Sequence, residues 1–186
     1  SYDDRRYKGS GSPDTDKDTS RLKRLTFTGV GEDYVPTTSN LLDLHLMTMQ
    51  GVTIAKDMVG APPNSKTPLA ISDFARDIAS SSVNMDCKVL GIEECTASEM
   101  GGFLAVQQGS KYPPQFIHMT YNNKNHGTTK PKKIAIVGKG LTFDSGGYNL
   151  KVGAASMIEM MKFDMGGLGA VLGTAAAVAA LDSSSS

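Results

Sequence analysis

The feature that most constrains this chain is a four-residue apolar run, Ile134-Ala135-Ile136-Val137, that passes directly into Gly138-Lys139-Gly140-Leu141-Thr142-Phe143-Asp144-Ser145-Gly146-Gly147. A run with no polar member does not suit a strand with one face in water. It suits a strand covered on both faces, in the middle of a sheet flanked by helices. The glycines that follow let the backbone turn sharply and approach a ligand closely. In an open α/β sheet the ligand site lies beyond the carboxyl ends of the strands. Ile134–Val137 is therefore expected to be an interior strand, with Lys139 and Asp144 standing where a site would be.

The rest of the chain alternates in the same sense. Leu22, Leu25, Phe27 and Val30 lie among threonines and read as a strand closed by Gly31 and Pro36. Thr37, Thr38, Ser39 or Asn40 can cap a helix that runs from Leu41 to Gly60, apolar enough to be buried on much of its circumference. Ala61-Pro62-Pro63-Asn64 stops it, and Thr67-Pro68 starts a second helix through Ile71, Phe74, Ala75 and Ile78. Strands are expected at Cys87–Leu90 and Phe116–Tyr121, and a helix from Glu93 to Met100 that ends at Gly101-Gly102. Phe103–Val106 reads as short and irregular, Asn122–Lys133 as a polar loop, and Leu168–Leu181 as a buried, Ala-rich helix. The expected class is α/β, a mixed sheet with helices on both faces.

Charge and composition exclude several functions. Lys plus Arg balance Asp plus Glu at 19 each, so nothing favours nucleic acid or an anionic membrane as partner. The longest apolar candidate, Leu168–Leu181, falls short of the roughly 18 residues of a membrane span. The chain opens Ser-Tyr-Asp-Asp-Arg-Arg, with neither a signal-peptide pattern nor an initiator Met, and is expected to be a processed or truncated product. Cys87 and Cys95 are too few for a disulfide framework and read as reduced thiols of an intracellular protein. His45, His118 and His126 are scattered, and no HExxH helix is present.

The chemistry concentrates between Ile134 and Gly173. Lys139 and Asp144 are followed by Lys151 and by Lys162-Phe163-Asp164-Met165-Gly166-Gly167. Asp164 sits between two apolar residues, and a carboxylate in such company needs a metal or a lysine as partner. Two carboxylates suit Zn, Mn or Mg, with a neutral lysine amine as an unusual extra ligand. Other readings stand beside this one. The glycines lack the spacing of a phosphate-binding P-loop. Lys and Asp are also common surface charges in loops. The stripe Met157, Met160, Met161 and Met165 is commonly core filler.

The run VGKGLTFDSGGYNLK followed by SMIEMMKFDMGG closely resembles the motifs of the leucine (cytosol) aminopeptidase family of metallopeptidases, especially its plant and protist members. GVTIAKDMVGAPPNSKTP is similar to that family's entry into its catalytic domain, and MGGFLAVQQGSKYPPQFIHMTY to the stretch beyond. The likeness covers roughly residues 45–180. It implies a partial catalytic domain over residues 37–182, preceded in 1–36 by a remnant of an amino-terminal domain and linker, and followed by a serine tail, 183–186. It implies that Lys139, Asp144 and Asp164 are metal ligands, with Asp144 bridging two ions. It implies that Lys151 is catalytic and substrate-binding, stabilising the tetrahedral intermediate, and that Met161 lines the pocket for the substrate's first side chain. Two divalent ions, Zn or Mn, a carbonate base, peptide substrates, a hexamer and a cytoplasmic or plastid location belong to the same expectation.

The sequence departs from the family in one respect that bears on chemistry. The later N-T-D-A-E-G-R-L motif, source of a further Asp, a Glu and the carbonate-binding Arg, does not occur in it. Two functions follow as expectations. One is a two-metal aminopeptidase of which this chain alone is inactive. The other is a non-catalytic pseudoenzyme subunit packing against a full-length homologue.

Overall fold

The computed structural model describes residues 24, 26, 28, 29, 31–123 and 132–184. The expected first strand, with Leu22, Leu25, Phe27 and Val30, and most of the 122–133 loop lie outside the described residues. A 3-10 turn at Glu32–Tyr34 leads into α1, Val35–Gly60. The helix begins ahead of the expected threonine caps because Pro36 fits a first turn, where its missing N–H costs nothing. It ends at Ala61, which is extended ahead of Pro62.

α2, Pro68–Ser80, starts as its sequence indicates: the Thr67 hydroxyl accepts the Ala70 N–H at 3.3 Å, and Pro68 occupies the first turn. β1, Met85–Leu90, pairs antiparallel with β2, Phe116–Tyr121, with Cys87 opposite Met119 and Val89 opposite Ile117. Between them lie α3, Ile92–Ala97, and α4, Gly101–Gln107. Phe103–Val106 is thus helical rather than irregular. The expected single helix to Met100 breaks at Glu99, whose φ of 54° is left-handed. Two further 3-10 turns, Ala154–Ser156 and Ile158–Phe163, precede α5, Gly166–Ser184, which runs into the serine tail.

The core is made by α2, α5 and one face of the sheet. Ile71, Ala75 and Ile78 of α2 and Leu172 and Ala179 of α5 are buried, and Met85, Cys87, Ile117 and Met119 pack against them. Burial alternates along most of both strands, and on the opposite face Phe103 of α4 packs edge-on against Phe116, ring centroids 5.8 Å apart. The class is α/β as expected. The sheet among the described residues is two antiparallel strands rather than a mixed one.

The largest departure is Ile134–Val137. It forms no strand and has no strand partner among the described residues, and Ile134, Ile136 and Val137 are 85%, 61% and 92% exposed. An interior strand needs a hydrogen-bonded neighbour on each side and cover above and below. β1 and β2 satisfy each other and supply neither.

α1 also differs from expectation. Its first half carries Leu41, Leu44, Leu46 and Met49 in solvent. Its second half packs on α5 at a crossing of glycines. A methyl group on Gly51 would strike the Gly173 carbonyl, and one on Gly173 would strike the Gly51 carbonyl, with Ala55 and Ala177 flanking. α5 is apolar around its whole circumference, and Ile158–Ser183 is long and apolar enough, by length and composition alone, to cross a bilayer. Its far end is fixed by a polar knot. The Asp182 carboxylate accepts the Ser82 hydroxyl at 2.5 Å, the Asn84 amide at 2.9 Å and the Tyr121 hydroxyl at 3.0 Å.

Candidate metal centre

The segment after Val137 rides on the start of α5. The Lys139 carbonyl accepts the Leu168 N–H at 2.9 Å, and Gly138 lies against the Gly167 backbone. The loop then closes on itself through the Lys151 N–H to the Ser145 carbonyl, 2.9 Å. Gly146 makes that closure possible. Its φ is +89°, and a side chain there would collide with the Asn149 carbonyl.

Asp144 is the best-anchored acid of the loop. Its carboxylate accepts the Gly146 N–H at 2.9 Å and lies 3.3 Å from the Lys151 ammonium. The Gly146 N–H holds its carboxyl below the usual range, Lys151 and Lys139 lower it further, and partial burial opposes them. Asp164 follows the 3-10 turn Ile158–Phe163, its N–H donating to the Met161 carbonyl at 3.3 Å. Its carboxylate meets the Lys139 ammonium at 2.6 Å. Met165, the next residue, is fully buried.

Four of the five residues marked by the sequence thus fall in two linked groups: Lys139 with Asp164, and Lys151 with Asp144, with Lys139 acting on both acids. Met161 stands half-buried in the turn that delivers Asp164. Each carboxylate is neutralised by a lysine, and the group is open to solvent: Lys139 is 62% exposed at its side chain. Two carboxylates and one amine are hard donors that suit part of the shell of a divalent ion. Among the described residues no group of three or more His, Cys, Asp or Glu stands together, so the donors here fit part of one position rather than two complete ones.

Sequence reasoning passed over Lys66, in the turn after α1. Lys66 is 4% exposed, and its ammonium donates to the carbonyls of Met58 at 3.0 Å, Val59 at 3.1 Å and Lys162 at 2.7 Å. Burial, and secondarily Lys162, push it down to about 8. The available signal was its place just past a helix end, where lysines bond the last free carbonyls.

Residues 53–185 match the profile of the cytosol aminopeptidase family, catalytic domain. The chain is 59% identical over 131 residues to a probable cytosol aminopeptidase of Prochlorococcus marinus (strain MIT 9211), an overlap of 70% of this chain and 26% of that protein. It is 54% identical over 134 residues to one of Synechococcus sp. (strain CC9605), 72% of this chain and 26% of the relative. A Synechocystis sp. protein of the same description is 44% identical over 180 residues, 97% of this chain and 34% of its own length. The chain therefore spans about a quarter to a third of the relatives it matches.

Proposed function

The chain belongs to the cytosol aminopeptidase family, and from that premise we propose that it carries the first half of the site of a metal-dependent, leucyl-type aminopeptidase. The observation that supports this most is the pairing of Lys139 with Asp164 and of Lys151 with Asp144 where the glycine loop meets the turn before α5. Two lysines and two acids from the glycine loop and from the turn before α5 are thereby brought into one neighbourhood. In this reading Lys139, Asp144 and Asp164 hold metal. Two divalent ions, Zn or Mn, would polarise the scissile carbonyl and activate a water.

This chain's own residues do the rest of what it contributes. Asp144 stays ionised because the Gly146 N–H and Lys151 favour the carboxylate. Lys151 presents positive charge where the substrate's carbonyl oxygen gains negative charge, an oxyanion-hole role. Met161 lines the pocket for the first side chain. The arginine and carbonate that serve as base in the family have no counterpart among these residues, so peptide hydrolysis by this chain alone is expected to be feeble. Peptide substrates, a homo-hexameric assembly without nucleic-acid or membrane partners, and a cytoplasmic location, with plastid as alternative, complete the reading. The names of the relatives support the location.

A second reading has its own support. Ile134, Ile136 and Val137 are exposed, which favours a non-catalytic subunit docking against a full-length homologue. Titration with Mn²⁺, followed by electron paramagnetic resonance, tests the first reading. We expect weak binding that Asp144→Asn and Asp164→Asn each abolish. Binding indifferent to both substitutions removes the metal assignment.

A further inference from the structure

We propose that Lys66 is a positioning residue for the Asp164 side of this centre, its ammonium tying the carboxyl end of α1 to the turn that delivers Met161 and Asp164. The inference rests on the metal-site reading for its functional meaning, and on geometry for its mechanical part. An ammonium has three N–H donors and no acceptor. Lys66 directs one at Met58, one at Val59 and one at Lys162, so its donors are matched to three carbonyls. Met58 and Val59 belong to the last turn of α1, whose final carbonyls lack helical partners and carry the negative end of the helix dipole. Lys162 lies in a different part of the chain, 96 residues away, and two residues before Asp164.

The tie acts on a short lever. Asp164 is bounded on one side by Met165, whose side chain is fully buried. On the other side the Lys162 carbonyl is held by Lys66. At Asp164 itself the backbone bond is a long one, the Asp164 N–H to the Met161 carbonyl at 3.3 Å. Without Lys66, three part-buried carbonyls lose their donor and the turn loses its hydrogen-bonded tie to the end of α1. The carboxylate that meets Lys139 would then be free to shift. Supporting groups of this kind govern ligand geometry without touching the ion.

The test compares Lys66→Met with Ser82→Ala, which breaks the distant Asp182 knot. In metal-free chain we expect Lys66→Met to speed amide exchange at Met160 and Asp164 well beyond any change at β1, and to weaken Mn²⁺ binding by about 10–100-fold. Ser82→Ala, at an equal or larger fall in melting temperature, is expected to leave both unchanged. Unaltered exchange at Asp164 in Lys66→Met, or an equal change in Ser82→Ala, overturns the proposal. If the unsubstituted chain binds no Mn²⁺, the metal reading falls, and the exchange comparison still decides the role of Lys66. Should Lys66→Met not fold, the unsubstituted chain suffices: a through-hydrogen-bond coupling between Lys66 Nζ and the Lys162 carbonyl carbon is expected, and its absence overturns the tie.

Discussion

Gly51 of α1 and Gly173 of α5 face each other so closely that neither can carry a methyl group without striking the other's carbonyl. The obstacle on each side is backbone, which cannot rotate away as a side chain can. Gly51→Ala or Gly173→Ala is therefore expected to destabilise the chain by about 1–3 kcal/mol, the usual cost of overpacking. Gly101→Ala is the control, because a side chain there meets nothing. Its helical position should gain a few tenths to about 1 kcal/mol. Urea unfolding of the three variants checks both signs, and equal effects would refute the crossing.

Asp182 should make the fold acid-sensitive. The donors Ser82 and Asn84, then Tyr121, hold its carboxyl below the usual range, so its folded pKa lies below the unfolded value. Such a group contributes stability above the unfolded pKa, near 3.9, and loses it as pH falls through the folded pKa. Removing the carboxylate by Asp182→Ala should lower the unfolding midpoint at pH 7 and flatten its dependence on pH below about 4. The same substitution should ease ionisation of Tyr121, whose hydroxyl is pushed up by burial and by Asp182. An ultraviolet tyrosine titration reads that second effect.

Gly146→Ala is expected to act on the centre more than on the core. The site lies in an open loop, away from the buried cluster of α2 and α5. A side chain at φ +89° is strained by about 1–2 kcal/mol and collides with the Asn149 carbonyl. The loop should reopen, Asp144 should lose its N–H partner, and Mn²⁺ affinity should fall by at least about ten-fold. A calorimetric titration with unchanged affinity would show that the Asp144 anchor is irrelevant to binding.

The exposed run offers a prediction about association. Val137 is 92% exposed, so Val137→Asp should change stability by no more than about 0.5 kcal/mol. Unpaired apolar strands invite pairing with another chain. We expect the unsubstituted chain to self-associate with concentration in sedimentation velocity, and Val137→Asp to reduce that association. A monomeric chain at all concentrations would contradict the expectation.

Catalysis supplies the last prediction. With ligands for part of one ion, the chain should hydrolyse a leucyl chromogenic substrate feebly even with Mn or Zn added. Loss of single electrostatic or acid–base groups costs on the order of 10²–10⁴ in rate. Robust turnover that vanishes in Lys151→Ala would overturn that expectation.

What the sequence made legible was local. Thr67-Pro68 marked the start of α2 because a cap and a first-turn proline act within a few residues. The alternation of Phe116–Tyr121 marked β2 because one face of a strand must meet the core. The motif residues Lys139, Asp144, Lys151 and Asp164 come together in two pairs. Ile134–Val137 misled because an apolar run reports the cover a segment needs, and cannot report whether the chain in hand provides it. The link from Lys66 to Lys162 and the Asp182 knot escaped because those partners stand 96 and 100 residues away, where no periodicity reaches.

The Asp182 knot also bears on the order in which the molecule can form. Its bonds to Ser82, Asn84 and Tyr121 span 100, 98 and 61 positions. Contacts of such separation require closing a long loop before any of them yields a return in enthalpy. α2 and β1 are neighbours in sequence, and β2 pairs with β1 after a shorter excursion through α3 and α4. The kinetic consequence is a late docking of α5. Substitutions at Asp182 should therefore accelerate unfolding and leave the folding rate nearly untouched, whereas truncation of Ile71 or Ala75 should slow folding itself.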